Sequence, residues 1–588
     1  MQNLKLRKLK ITINGKKYQG SPGKTILEVC QENDIFIPTL CYHPDLEVKA
    51  NCRVCVVEVK GRNKLCTACS TEIEDGMEVL TDSEKVEKVR KINLELIFAA
   101  HVEKCPTCVR DGECLLQDLM RAYEEKGIYK VRSNRFEDRK KTWPNFQFGP
   151  SIFFDSSKCI DCGNCVEVCD KVQKIKFLEV EGKGYRTRIL PSSSKMRECI
   201  YCGQCAVHCP VGAIQEQSSI DDVKRAILDR KKIVIAQIAP SIRVSIGEDF
   251  GMSYGKVVTE KVYAALRMLG FDKVFDVNLG ADFTTVVEAE ELAERLQKGK
   301  DLPMLTSCCP AWVRYLEFYF PWYISHLTTA RSPHIHLGGV IKTYYAEKEK
   351  IDPENLVVIS IMPCTAKKFE ICREELKVNN MQVVDYVLTN REFASMLRER
   401  KIDLKKVKGE KADNPLGVYS GAGAIYGASG GVMESALRTV YEKITRKTLL
   451  RLDFKNVRGV KGIKEATVKI GKKALKVAVA NGIKNAKEIL DRLHKDPKLY
   501  DYIEVMACPG GCIGGGGQPI PVTKEIRKKR AQALYTIDSR LKVRKAHENP
   551  IVKKVFKEFL DRNKKLAHEI LHTTYQRAEK QKDYTSYL

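Results

Sequence analysis

The placement of cysteine constrains this 588-residue chain more than any other feature: 17 of its 23 cysteines fall in residues 1–210. The densest stretch reads Cys159-x2-Cys162-x2-Cys165-x3-Cys169, then Cys199-x2-Cys202-x2-Cys205-x3-Cys209-Pro210. Three cysteines at x2 spacing with a fourth after x3 form the ligand run of a [4Fe–4S] cluster, and in two-cluster modules the fourth cysteine of each run serves the other cluster. Two runs that exchange their last ligands must fold around each other. That predicts a bacterial-type two-[4Fe–4S] domain over residues 140–220, with electron transfer as its work.

The remaining composition narrows the setting. Cluster spacing in a chain this long argues against the disulfide framework of a small secreted protein. The N-terminus has no apolar run of signal-peptide length, and no window approaches the ~20 apolar residues of a membrane span. These readings predict a cytoplasmic protein. Lys and Arg exceed Asp and Glu by 26. Such an excess forms a solvated basic surface or steers an acidic carrier such as a ferredoxin; no basic run with interleaved aromatics points to nucleic acid.

Two more ligand sets precede the module. Residues 1–80 open with the alternating segment Leu9–Ile13 and an Asn14-Gly15 turn, and then place Cys41, Cys52, Cys55 and Cys69 at gaps of 10, 2 and 13. This varies the plant-type [2Fe–2S] spacing. It resembles the β-grasp domain that opens many [FeFe]-hydrogenases and the large peripheral subunit of complex I; a zinc site is the alternative. Cys66 competes with Cys69 as a ligand, and Cys30 lies on an apolar helical face. Residues 81–125 are predicted to be a small helical domain, with Val86, Val89, Ile92, Leu96 and Ile97 as its apolar face. It leads into His101-x3-Cys105-x2-Cys108-x5-Cys114, and the same families carry a [4Fe–4S] cluster held by one His and three Cys at this spacing. Residues 126–150 are charged and end in Gly149-Pro150, which predicts a linker.

After Asp229 charged helical stretches alternate with apolar runs at 233–238, 274–277, 303–305, 356–361, 383–388 and 503–506, an α/β pattern. Three of these runs lead into cysteine: Thr306-Ser307-Cys308-Cys309-Pro310, Met362-Pro363-Cys364 and Met506-Ala507-Cys508-Pro509-Gly510-Gly511-Cys512. Sites in open α/β sheets lie beyond the carboxyl ends of strands, so these thiols are placed to converge. Gly510, Gly511 and Gly514–Gly517 suit close backbone approach to a bulky cofactor.

Thr306–Trp312, Met362–Glu370 and Met506–Pro519, in that order behind matching accessory domains, resemble the three H-cluster signatures of [FeFe]-hydrogenases. The resemblance covers nearly the whole chain. It implies a two-lobed α/β H-cluster domain over residues 228–588 with a basic helical C-terminal part. It implies an H-cluster whose [4Fe–4S] half is held by Cys309, Cys364, Cys508 and Cys512, with Cys512 bridging to a diiron half that carries CO, cyanide and a dithiolate amine. Ala239, Pro240, Ser241, Met362 and Met506 would border the diiron half, and Lys367 would donate to a cyanide. Cys308 would ligate nothing and instead pass protons through Glu288, Thr328 and Glu291 towards Arg295. Thr328 stands where Ser is usual, and Tyr426 where Phe is common. Glu370 is a further relay candidate or a brace of the pocket.

The implied activity is reversible interconversion of H2 with protons and electrons. Three accessory [4Fe–4S] clusters and one [2Fe–2S] would wire it to ferredoxin, or to NAD(P)- and flavin-bearing partner subunits of a bifurcating complex. Maturation proteins would supply the H-cluster. A non-catalytic relative that assists iron–sulfur assembly normally lacks the Cys308 thiol, and a complex I-like electron-transfer subunit leaves the three strand-end motifs unexplained.

Overall fold

The computed structural model describes residues 8–124 and 143–586, residue 472 excepted. Alternation at Leu9–Ile13 produces the first strand of a five-stranded sheet, in which Leu9–Ile13 pairs antiparallel with Lys16–Gly20 and parallel with Met77–Leu80. The helix Ile26–Glu32 packs across it, started by a capping box between Thr25 and Glu28. Cys30 is fully buried in this small core.

The helix Glu84–Ala100 follows, but its buried face is Val86, Arg90, Leu94 and Phe98. Ile92 and Leu96 of the expected face are exposed, at 48% and 63%. The rotation has a physical cause. The Arg90 guanidinium donates to the carbonyls of Val54, Val56 and Thr81 at 3.0–3.1 Å, so a charged residue can occupy the inner face with its donors satisfied.

Of the expected linker, residues 126–142 lie outside the described residues. Asn145–Phe148 is a strand, paired with Ile152–Phe154, which in turn pairs with Ile214–Glu216. The chain's last strand, Thr585–Ser586, returns to complete this sheet on the free side of Asn145–Phe148.

Beyond residue 228 the described residues form two four-stranded sheets. In the first, Lys273–Asp276, Ile233–Ile238, Leu356–Met362 and Tyr386–Thr389 run parallel in that spatial order. In the second, Met304–Leu305, Tyr502–Met506 and Lys473–Asn481 are parallel, and Ile463–Ile470 adds an antiparallel edge. This edge hairpin was not expected. Its outer face carries Lys and Glu, which hides the strand period. A large apolar core surrounds the first sheet. The second shares a continuous core with the cluster module, from Phe148, Phe154 and Ile200 to Trp312, Ala480 and Ile503. Among the described residues no helix is long and apolar enough to cross a membrane.

Candidate active site and its wiring

Parallel pairing puts the ends of four strands at one level. Ile233–Ile238 and Leu356–Met362 are in register, and the Ala239 amide donates to the Ile361 carbonyl at 3.0 Å. Ala239, Pro240, Met362, Pro363 and Cys364 therefore leave the first sheet together. Across from them Met304–Leu305 pairs with Tyr502–Ile503, which brings Cys308, Cys309 and Met506 out of the second. Between the two lobes is a cavity lined by Ala239, Pro240, Cys308, Cys309, Met362, Cys364, Lys367, Met506 and Cys512. Cys508 lies beside Cys364, Cys309 and Cys512, whose charges act on it. Burial and then mutual repulsion push the thiols up, Cys364 to about 12, as expected for thiols crowded in a dry site.

Ser241 is set behind the cavity wall, its hydroxyl accepting from Gln518 Nε2 at 3.1 Å. The glycine run also differs from expectation. A Cβ on Gly516 would meet the Cys202 carbonyl at 2.4 Å and the Gly203 Cα at 2.6 Å. On Gly515 it would meet the Pro363 carbonyl at 2.2 Å. These glycines serve close approach of protein to protein, and it is Gly427 that borders the cavity.

Among the described residues, Lys367 is the single lysine on the cavity wall. Its Nζ donates to Glu370 Oε2 at 2.7 Å and to the Cys308 carbonyl at 3.2 Å. His334, which the sequence did not single out, also lines the cavity and contacts the same Glu370 oxygen through Nε2 at 2.5 Å. Burial raises the Glu370 carboxyl, but Lys367 and His334 together outweigh it and hold it at about 2. Glu370 thus braces the ammonium.

The helix Val277–Lys298 carries the carboxylates. Glu288 is fully buried, and Oε1 accepts the Tyr502 hydroxyl at 2.6 Å. Burial, opposed by that hydrogen bond and reinforced by Glu291, raises its carboxyl to about 8. One turn on, Glu291 Oε2 accepts from Thr328 Oγ1 at 2.7 Å and Thr329 Oγ1 at 3.0 Å, and Arg295 binds Oε1 at 2.5 Å. Burial and then the Glu288 charge push the Cys308 thiol well up. Tyr426 lines the cavity, and its hydroxyl meets Thr285 Oγ1 at 2.8 Å.

The accessory thiols fall into four groups. Cys199, Cys202 and Cys205 surround one small cavity with Cys169 from the other run; Cys159, Cys162 and Cys165 surround another with Cys209. Each cavity thus draws three thiols from one run and the fourth from the other. His101 borders a third cavity with Cys105, Cys108 and Cys114. Its Nδ1 is 2.8 Å from the Lys158 carbonyl, which can only accept, so the lone pair is on Nε2. In the first domain the Cys55 and Cys69 sulfurs are 3.4 Å apart, and the Cys52 amide donates to Cys41 Sγ at 3.4 Å. Cys66 instead turns to Arg62.

These groups abut in sequence. The Cys202 carbonyl lies 4.0 Å from Cys508 Sγ, and Gln204 Nε2 donates to the Gly514 carbonyl at 2.9 Å. On the far side, Asn51 donates to the Asp161 carbonyl at 2.8 Å, next to the first run. A Cβ on Gly212 would meet Cys108 Sγ at 2.5 Å. The His-bearing domain and the [2Fe–2S]-type domain therefore both reach the half of the module that holds Cys159–Cys165.

Residues 232–516 match the C-terminal domain of the iron-only hydrogenase large subunit, and 524–578 the iron hydrogenase small subunit. Ahead of them are a 2Fe-2S iron-sulfur cluster binding domain at 6–84, an NADH-ubiquinone oxidoreductase-G iron-sulfur binding region at 90–127 and a 4Fe-4S dicluster domain at 158–213. The chain is 42% identical to the NADP-reducing hydrogenase subunit HndD of Solidesulfovibrio fructosivorans, over 96% of its own length and 98% of that protein's. It belongs to the [FeFe]-hydrogenases. Iron hydrogenase 1 of Clostridium pasteurianum is 41% identical over 96% of this chain and all of that one. The solved apo [FeFe]-hydrogenase HydA1 of Chlamydomonas reinhardtii superposes with a TM-score of 0.55 at 37% identity, covering 61% of this chain and 99% of that one. The protein is therefore an oxidoreductase acting on H2, with an H-cluster domain behind [2Fe–2S] and [4Fe–4S] domains. The site fits that cofactor: crowded soft ligands, an otherwise apolar cavity and one buried ammonium suit a thiolate-held cluster with anionic ligands.

Proposed function

We propose that this hydrogenase is the H2-cycling subunit of an assembly whose partner subunits carry an NAD(P) site, with ferredoxin as a further acceptor. When bound, the H-cluster supplies the redox chemistry that interconverts H2 with two protons and two electrons. Cys309, Cys364, Cys508 and Cys512 would hold it. Lys367, kept charged by Glu370, would donate to its anionic ligands; Ala239, Pro240, Met362 and Met506 would exclude water, with Ser241 supporting that wall from behind.

Protons move through side chains of this chain. Cys308 Sγ exchanges a proton with the reacting centre and Glu288 receives it. Thr328 and Glu291 carry it outward, and Arg295 holds Glu291 in place. General acid–base groups of this kind contribute roughly 10²–10⁴ to rate. The Cys508–Cys202 contact would set the H-cluster site against one of the module's two [4Fe–4S] sites. The His101 set and the [2Fe–2S] set would border the module's other half, so that three accessory [4Fe–4S] clusters and one [2Fe–2S] would supply the electron transfer. No Gly-x-Gly-x-x-Gly with the required strand and acidic follow-up is evident in the sequence, so nicotinamide chemistry belongs to a partner. Maturation proteins deliver the diiron half, and the site of action is the cytoplasm.

The observation that carries this reading is the convergence of Cys308, Cys309, Cys364 and Cys512 on one cavity, with Cys508 of the same loop against the backbone of Cys202. Anaerobic H2 uptake by matured protein tests it: alone, with ferredoxin, and with NAD(P)+ plus candidate partner subunits. Uptake is expected with a soluble acceptor, and NAD(P)H formation only with partners present. No uptake after full maturation sinks the reading. The Cys308→Ala variant should keep its clusters and lose turnover.

A further inference from the structure

The relay carboxylate Glu288 has a second partner that neither the motifs nor the family resemblance brought out. Tyr502 opens the strand Tyr502–Met506, in register with Met304 on one side and Val477 on the other, so its backbone is fixed from both flanks. Its ring is fully buried, and its hydroxyl donates to Glu288 Oε1 at 2.6 Å. Glu288 Oε2 is fully buried without a hydrogen-bond partner among the described residues. A buried carboxyl with one oxygen tied and the other unpaired is asymmetric, since a proton on the acid resides on the oxygen that accepts nothing.

We propose that Tyr502 is a positioning residue of the proton relay: by engaging Oε1 it leaves Oε2 as the atom that exchanges a proton with Cys308. The inference rests on the relay reading of Cys308 and Glu288. The groups facing Glu288 are Glu291 and Arg295 from its own helix, Glu504 and Tyr502 from the strand, and Cys308 and Tyr426 from the cavity side. Tyr502 is the hydrogen-bond donor found on its carboxyl.

The test is Tyr502→Phe, which keeps the ring and deletes the hydroxyl, read first by infrared difference spectroscopy. The protonated Glu288 C=O band is identified by its loss in Glu288→Gln. In Tyr502→Phe it should move to higher frequency, and its disappearance on raising pH should shift upward, because the hydroxyl stabilises the carboxylate. Tyr426→Phe should leave the band in place. This readout needs no loaded active site. In matured enzyme, H2 turnover of Tyr502→Phe should fall about tenfold, the order expected for one lost hydrogen bond to a charged group. An unmoved band overturns the Tyr502–Glu288 contact. A moved band with unchanged turnover overturns the positioning role. Full turnover in Glu288→Gln would instead sink the relay reading itself, which separates the two failures.

Discussion

Glu288, the proposed relay carboxylate, is carried by the folded protein at a cost, and its removal should stabilise the chain while disabling it. The carboxyl is raised from 4.5 to about 8 by burial. Between those values the unfolded chain has lost a proton that the folded protein keeps, so stability falls as pH rises through this window. At ~1.4 kcal/mol per pH unit, the penalty is about 1 kcal/mol at pH 5.5 and about 5 kcal/mol at pH 8.5. Glu288→Gln keeps an acceptor for the Tyr502 hydroxyl and has no charge to desolvate. Its own cost, a buried amide group with no acceptor, is about 1–3 kcal/mol and does not vary with pH. The variant should therefore be near neutral in stability at pH 5.5 and about 3 kcal/mol more stable at pH 8.5, a rise of a few degrees in unfolding midpoint for a domain of this size. Anaerobic thermal scans at one fixed rate, at both pH values, measure this; a fixed rate is needed because unfolding of a cluster protein is not reversible. Turnover of the same variant should drop at least ~10²-fold. Parallel stability curves for the two proteins would refute the argument, because a buried acid without a pH-dependent penalty is not perturbed by its site.

The choice between Cys66 and Cys69 follows from geometry. Cys69→Ser should abolish or alter the [2Fe–2S] electron paramagnetic signal and Cys66→Ser should leave it, since Cys66 faces Arg62 while Cys69 meets Cys55. Gly516→Ala inserts a Cβ 2.4 Å from the Cys202 carbonyl. Backbone cannot yield to it cheaply, so a loss of about 1–3 kcal/mol is expected, together with slower H2-driven reduction of the accessory clusters in stopped-flow. An unchanged midpoint and rate would mean that the module does not abut the cysteine loop there.

The grouping of the thiols was legible in advance because it is written in spacing. The exchange of Cys169 and Cys209 between the two runs follows from x2-x2-x3 geometry, and the surrounding cavities have that composition. The strand-end thiols were legible because an apolar run followed by cysteine survives any packing detail. Where a polar residue took an inner position, the reading failed. Arg90 displaced the expected helix face because three carbonyls satisfy it, and the Lys- and Glu-studded edge hairpin masked its own period. The glycines were rightly taken as sites of close approach, but what approaches is the Cys202–Gly203 backbone, more than 300 residues away in the chain.

By itself, then, the sequence determined which groups could serve as soft ligands and the order in which they occur, because those depend on residues a few positions apart. It also marked Cys308 as the thiol left over beside a ligand. Only the tertiary structure decided what surrounds them. Glu370 became a brace because His334, from a separate helix, joins Lys367 of its own helix on one carboxylate oxygen. Glu288 acquired Tyr502 from a strand 214 residues on. Proton affinity and hydrogen-bond direction depend on burial and on neighbours across space, and neither has a period or a spacing in the chain.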